Sequence, residues 1–169
     1  MNKLMQNVLT GAALTGALLA TQANAADAVI RHKIPNSSFP IALAVEVPAT
    51  ATVVNLSGSV PVTIDAKAPA DSLAAYGDTE AQTVSVFKTI DKTLQSLGLN
   101  MGDVVKMQVF LVGDPTKGGK MDFAGFMKGY GQFFGTEAQP KLPARSVMQV
   151  AGLVNPAWLV EIEVTAVRP

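Results

Sequence analysis

An α+β domain is what this sequence predicts, on three observations. β-rich runs stand near both ends of the chain, two central segments repeat apolar residues every three to four positions, and Gly or Pro punctuation separates each run from the next. Strands interrupted by only two helical segments suit two helices on one face of a mixed, mainly antiparallel sheet. The opposite sheet face is then left for something else to cover, and another subunit would serve.

The first residues should not belong to that fold. Lys3, the apolar and small-residue run from Val8 to Ala20, and Ala23-Asn24-Ala25 before Ala26 have the order of a secretory signal and its cleavage site. The run is shorter than the ~20 apolar residues of a membrane span, and Thr10, Gly11, Thr15 and Gly16 interrupt it. Residues 1–25 are therefore expected to be a cleavable signal peptide. Residues 26–169 are expected to form one domain, periplasmic or secreted, with no membrane attachment after cleavage.

After a short polar lead, Ile41 to Val47 and Thr52 to Leu56 read as strands joined as a hairpin or near-hairpin through Pro48-Ala49-Thr50-Ala51. Val60 to Ile64 can extend the sheet past Ser57-Gly58-Ser59, where the glycine allows a bulge or a close backbone approach. Ala66 to Tyr76 is a small-residue connection. From Asp78 the period changes. Ala81, Val84, Phe87, Ile90 or Asp91, Leu94 and Leu97 trace a helix with Asp78 or Thr79 as its cap and Gly98 as its stop. Val104 to Val112 is a β-branched strand reached directly from that helix, and Gly113 to Lys120 is a loop whose Gly-Gly-Lys lacks phosphate-loop spacing. Met121 to Phe134 carries Phe123, Phe126, Met127, Tyr130, Phe133 and Phe134 at helical spacing, which suits a core-facing helix better than an aromatic binding box. Pro140 and Pro143 stiffen the lead into the strand Ser146 to Ala151. Trp158 to Val167 then alternates, with Val160, Ile162, Val164 and Ala166 on one face and Glu161, Glu163 and Thr165 on the other.

Composition narrows the chemistry. The chain has no cysteine and one histidine, His32, between Arg31 and Lys33, where a solvated role is expected; no metal is predicted. Thirteen Lys and Arg balance thirteen Asp and Glu without a basic run, which argues against nucleic acid or an anionic membrane as the main partner. No catalytic triad and no dinucleotide fingerprint is present. Two settings remain. Arg145 follows the stiff Leu142-Pro143-Ala144, which fixes the direction of a fork suited to a carboxylate, although a surface ion pair would use the same residue. Glu161 and Glu163 share a strand face, where an acid is either a solvated outer residue or a base toward water.

At these residues the chain resembles a known family. Leu142-Pro143-Ala144-Arg145-Ser146, Val150-Ala151-Gly152-Leu153 and Val160-Glu161-Ile162-Glu163 resemble the C-terminal signature of the Rid, or YjgF-like, reactive intermediate deaminases. Leu56-Ser57-Gly58-Ser59-Val60-Pro61 is similar to the family's Ser-Gly-Gln-hydrophobic-Pro segment, and Leu97-Gly98-Leu99 with Gly102-Asp103-Val104 to its helix-to-strand passage. The resemblance runs from about residue 39 to the end. It implies a chorismate-mutase-like fold in a homotrimeric barrel with pockets between subunits, and hydrolysis of imine or enamine acids to 2-oxo acids and ammonia with no cofactor. On this resemblance Arg145 would bind the substrate carboxylate, the backbone near Val147 the imine nitrogen, and Glu161 the attacking water. Ser57 and Gly58 would line the pocket. Phe39-Pro40-Ile41 stands where the family often has Gly-Pro-Tyr, and Met127 stands near a frequent Asn, so a more apolar pocket is expected. The alternative is a trimeric module that holds small carboxylates without turning them over.

Overall fold

A computed structural model describes residues 28–168; the expected signal peptide lies outside the described residues. In chain order the elements are β1 (Ile30–Lys33), β2 (Ala42–Glu46), β3 (Thr52–Ser59), α1 (Thr79–Ser96), β4 (Val104–Val112), α2 (Phe123–Tyr130), β5 (Ala144–Val150) and β6 (Val160–Arg168). Short 3-10 turns at Leu73–Ala75, Met101–Asp103 and Pro115–Lys117 join them. The alternating C-terminal segment becomes a central strand. β6 lies between β3 and β4, antiparallel to both, and β5 joins β4 in parallel, giving the order β3-β6-β4-β5.

Alternation decides which face is covered. Met107, Val109 and Leu111 of β4 and Val160, Ile162, Val164 and Ala166 of β6 are buried, and they pack with Val86, Phe87, Ile90 and Leu94 of α1 and Phe126 and Tyr130 of α2. Each such side chain contributes roughly 1.5–3 kcal/mol by leaving water. Both helices therefore sit on one face, while Lys106, Gln108, Glu163 and Thr165 look out from the other. The helices meet closely: a Cβ on Gly129 would stand 2.7 Å from the Thr83 side chain. Asp78 caps α1 by accepting from the Ala81 amide, as the sequence suggests.

Three expectations are corrected. Residues 41–47 and 52–56 do not form a hairpin: β2 pairs with β1 in a separate two-stranded sheet, and β3 pairs with β6. The Pro48–Ala51 turn breaks the run, and β1, read as polar lead, supplies the partner because Arg31 donates to the carbonyls of Gly102, Val104 and Leu142 at 3.0, 2.9 and 2.7 Å. Val60–Ile64 is not a strand: Pro61 has no N–H, and the Val62 amide goes to the Ser85 hydroxyl instead. The buried stripe of α1 is also rotated from the one read off its apolar residues. Ala81 and Leu97 are exposed, and Gln82 is fully buried. Its amide nitrogen serves the carbonyls of Gly77 and Ala157, and its oxygen accepts from the Leu159 amide at 2.7 Å.

Candidate functional site

The parallel register sets Arg145 opposite Met107, so its side chain is on the helix-covered face, against α2. The guanidinium carbon lies 4.2 Å from the Tyr130 ring centre, 5.0 Å from that of Phe126 and 5.6 Å from that of Phe39. Nη2 contacts Met127 Sδ at 3.3 Å. Nη1 is buried with no acceptor, and Arg145 forms no ion pair among the described residues. Desolvation lowers the pKa of Arg145 and the neighbouring Tyr130 acts against that, yet an arginine remains a cation throughout the working range. The three ring faces stabilise the charge by about 0.5–2 kcal/mol each. They accept no hydrogen bond, so a charged donor is left unsatisfied, a state that an incoming anion would relieve.

Tyr130 fixes the rim of this cluster. Its hydroxyl donates to the Pro40 carbonyl at 2.7 Å, and burial pushes its pKa up to about 12, keeping the phenol neutral. Phe126 and Tyr130 therefore serve the core and the arginine together, where their helical spacing pointed to the core alone. What the spacing did not disclose is that the cation lies on them, because that contact joins β5 to α2 and to the segment before β2. Val147 lies two residues along from Arg145, opposite Val109, on a strand that, among the described residues, has a sheet neighbour on one side only.

The second group of residues gathers at the β3–β6 pair. The register shifts between Leu56 and Ser59, so Ser57-Gly58 forms the irregularity that the glycine allowed. Glu161 lies beneath it: a Cβ on Gly58 would stand 2.0 Å from Glu161 Oε1, so the bare backbone is what admits the carboxylate. Ser57 lines a concavity of about 380 Å³ on the open sheet face, with Asn55, Lys106, Gln108 and Glu163.

One chain does not bring these two groups together. Glu161 is opposite Phe110 of β4, three residues from Met107, and so faces away from Arg145. Strand spacing and rise put the two Cα atoms roughly 14 Å apart, on opposite faces of the sheet. Among the described residues no three His, Asp or Glu side chains are grouped to hold a metal ion. His32 pairs with Glu46 at 2.6 Å on the exposed β1–β2 surface.

A family model described as endoribonuclease L-PSP matches residues 40–168. The chain belongs to this family. The RutC family protein of Haemophilus influenzae is 33% identical over 138 residues, which cover 81% of this chain and 93% of that one. An Escherichia coli protein provisionally named reactive intermediate deaminase TdcF is 36% identical over 91 residues, 54% of this chain and 64% of that one. Among solved structures, the E. coli YjgF gene product superposes with a TM-score of 0.55 at 30% identity, covering 80% of this chain and 93% of that chain. E. coli TdcF with bound serine gives 0.55 at 28% identity, covering 83% and 98%. The Rid resemblance carried by Leu142–Ser146 and Val160–Glu163 is thus borne out, and the α+β fold is that of the YjgF proteins.

Proposed function

We propose that this family member hydrolyses reactive 2-imino acids, or their enamine tautomers, to 2-oxo acids and ammonia outside the cytoplasm, as a homotrimer with its sites between subunits. One observation carries the reading: Arg145 holds an unneutralised guanidinium in an apolar setting with Nη1 buried and without an acceptor. A substrate carboxylate would supply that acceptor, and a charge-assisted pair out of water is the strong kind. The family-level naming of relatives as reactive intermediate deaminases, and a relative crystallised with serine, an amino acid, agree with such a ligand.

With the carboxylate anchored, the imine carbon has a fixed position and the backbone near Val147 can meet the nitrogen. Water adds to that carbon while Glu161 accepts one of its protons and passes it to the imine nitrogen, giving a carbinolamine. The hydroxyl proton of that intermediate then moves by way of Glu161 to the same nitrogen as the C–N bond breaks, so that ammonia leaves and the 2-oxo acid remains. Arg145 and Glu161 on opposite faces of one sheet require two chains, so Glu161 of one subunit would attend Arg145 of the next. The same separation favours the second reading, a trimeric module that binds small carboxylates and leaves them unchanged.

Ammonia release from freshly generated 2-imino acids separates the two. The native protein should exceed spontaneous hydrolysis; Arg145→Ala and Glu161→Gln should both abolish the excess in folded protein. Ligand binding that needs Arg145, tolerates Glu161→Gln and gives no ammonia would establish the module instead. Export is tested by N-terminal sequencing of protein from the periplasmic fraction, where a chain beginning at Ala26 is expected and an intact Met1 would end the proposal.

A further inference from the structure

The ring that solvent reaches in the arginine cluster is Phe39. Phe126 and Tyr130 are fully buried and locked in the core, while Phe39 is 41% exposed. Its backbone is nonetheless held. The Phe39 amide donates to Ser37 Oγ at 3.1 Å, its carbonyl accepts from the Ile41 amide at 2.8 Å, and the adjoining Pro40 carbonyl takes the Tyr130 hydroxyl. The strap is thus fixed at its backbone while the ring can turn about its side-chain bonds. Nη1 is buried without an acceptor, and of the three rings over the guanidinium Phe39 is the exposed one, so turning Phe39 is the movement that would open a path for a carboxylate. The ring then lies along whatever the carboxylate carries. Beside it is a concavity of about 200 Å³ whose wall sets Ile34, Ile41 and Leu142 beside Lys33, Ser37 and Ser38.

We infer that Phe39 is a specificity-determining residue, and that the Arg145 site takes carboxylates with a bulky apolar α-substituent, aromatic or branched aliphatic, in preference to small ones. This rests on Arg145 being the carboxylate anchor of the proposed function, but not on turnover. The charge of the ligand meets Arg145, and its substituent exchanges water for the Phe39 face and the Ile34, Ile41 and Leu142 wall. A one-carbon substituent reaches none of that wall and still has to displace the ring.

Calorimetric titration of the purified protein with phenylpyruvate, 4-methyl-2-oxopentanoate and pyruvate tests it, because these 2-oxo acids bind without reacting. The two larger acids should bind at least about tenfold more tightly than pyruvate, the discrimination an apolar pocket supplies. Phe39→Ala should bring the ratio close to unity, Phe39→Leu should retain most of it, and Arg145→Ala should abolish binding of all three. Pyruvate binding as tightly as the others, a ratio untouched by Phe39→Ala in protein of native melting temperature, or no binding of any of them would overturn the inference. Selective binding without imine turnover would keep it and sink the hydrolase reading; turnover of all imines alike would do the reverse.

Discussion

Gly58 leaves 2.0 Å between its missing Cβ and Glu161 Oε1, so a single methyl group there must push the carboxylate out of the β3–β6 irregularity. Glu161 is a flexible side chain, and the fold can absorb its displacement. Gly58→Ala is accordingly expected to keep its melting temperature within a few degrees while lowering the rate of imine hydrolysis about a hundredfold, the usual result of misplacing a reacting group by an ångström. Loss of fold with no specific loss of rate would make Gly58 purely architectural. Tyr130 offers a pH test of the arginine's platform. Its phenol ionises near 10 when unfolded and at about 12 when folded. The folded chain therefore holds the proton more tightly, and the stabilisation is complete below pH 10 and is lost as pH rises through 12. Urea unfolding of native protein and Tyr130→Phe at pH 8 and pH 11 should show the native advantage shrinking by about 1.4 kcal/mol. A constant difference would mean that the phenol is not shielded. Residues of this kind were unevenly legible in the sequence. Gly58, Arg145 and Glu161 stand in a spaced pattern, whereas the contact of Phe39 with Arg145 joins positions with nothing between them in sequence to announce it.

At the scale of elements, legibility followed local period. β4 and α1 were readable because a β-branched run and a capped 3.6 repeat each act within a few residues. β1 was not, since Ile30-Arg31-His32-Lys33 has the composition of a solvated lead and becomes a strand through distant partners. Arg31 supplies them: its guanidinium holds the carbonyls of Gly102, Val104 and Leu142, tying the two-stranded sheet to the start of β4 and the lead into β5. A two-stranded sheet alone is marginal in water. Arg31→Ala should therefore cost about 2–4 kcal/mol in urea unfolding, and hydrogen exchange should quicken in residues 30–46 before it does in β4 or β6. Uniform loss of protection would refute a role confined to this element. The misread hairpin has the same origin, since apolar runs separated by a turn look alike whether they pair with each other or with strands elsewhere.

The whole molecule poses the question of how many chains make one site. Arg145 projects onto the helix-covered face and Glu161 onto the open face, so a hydrolase needs Glu161 from one subunit beside Arg145 of its neighbour. That arrangement has a numerical signature. On the proposed trimer, Arg145→Ala and Glu161→Gln proteins should each be inactive alone, but unfolded together in equal amounts and refolded they should form mixed trimers. A site then works only when the subunit giving the arginine is the Glu161→Gln chain and its neighbour giving the glutamate is the Arg145→Ala chain. In a cyclic trimer assembled at random this holds for about one quarter of the sites. Ammonia release near a quarter of the native rate is the expected result, with each variant refolded alone as the control. No recovery, from mixtures shown to contain both chains in one assembly, would mean that one chain must supply both groups; the observed sheet faces forbid that, and the paired Arg145–Glu161 mechanism would fall while carboxylate binding by Arg145 remained.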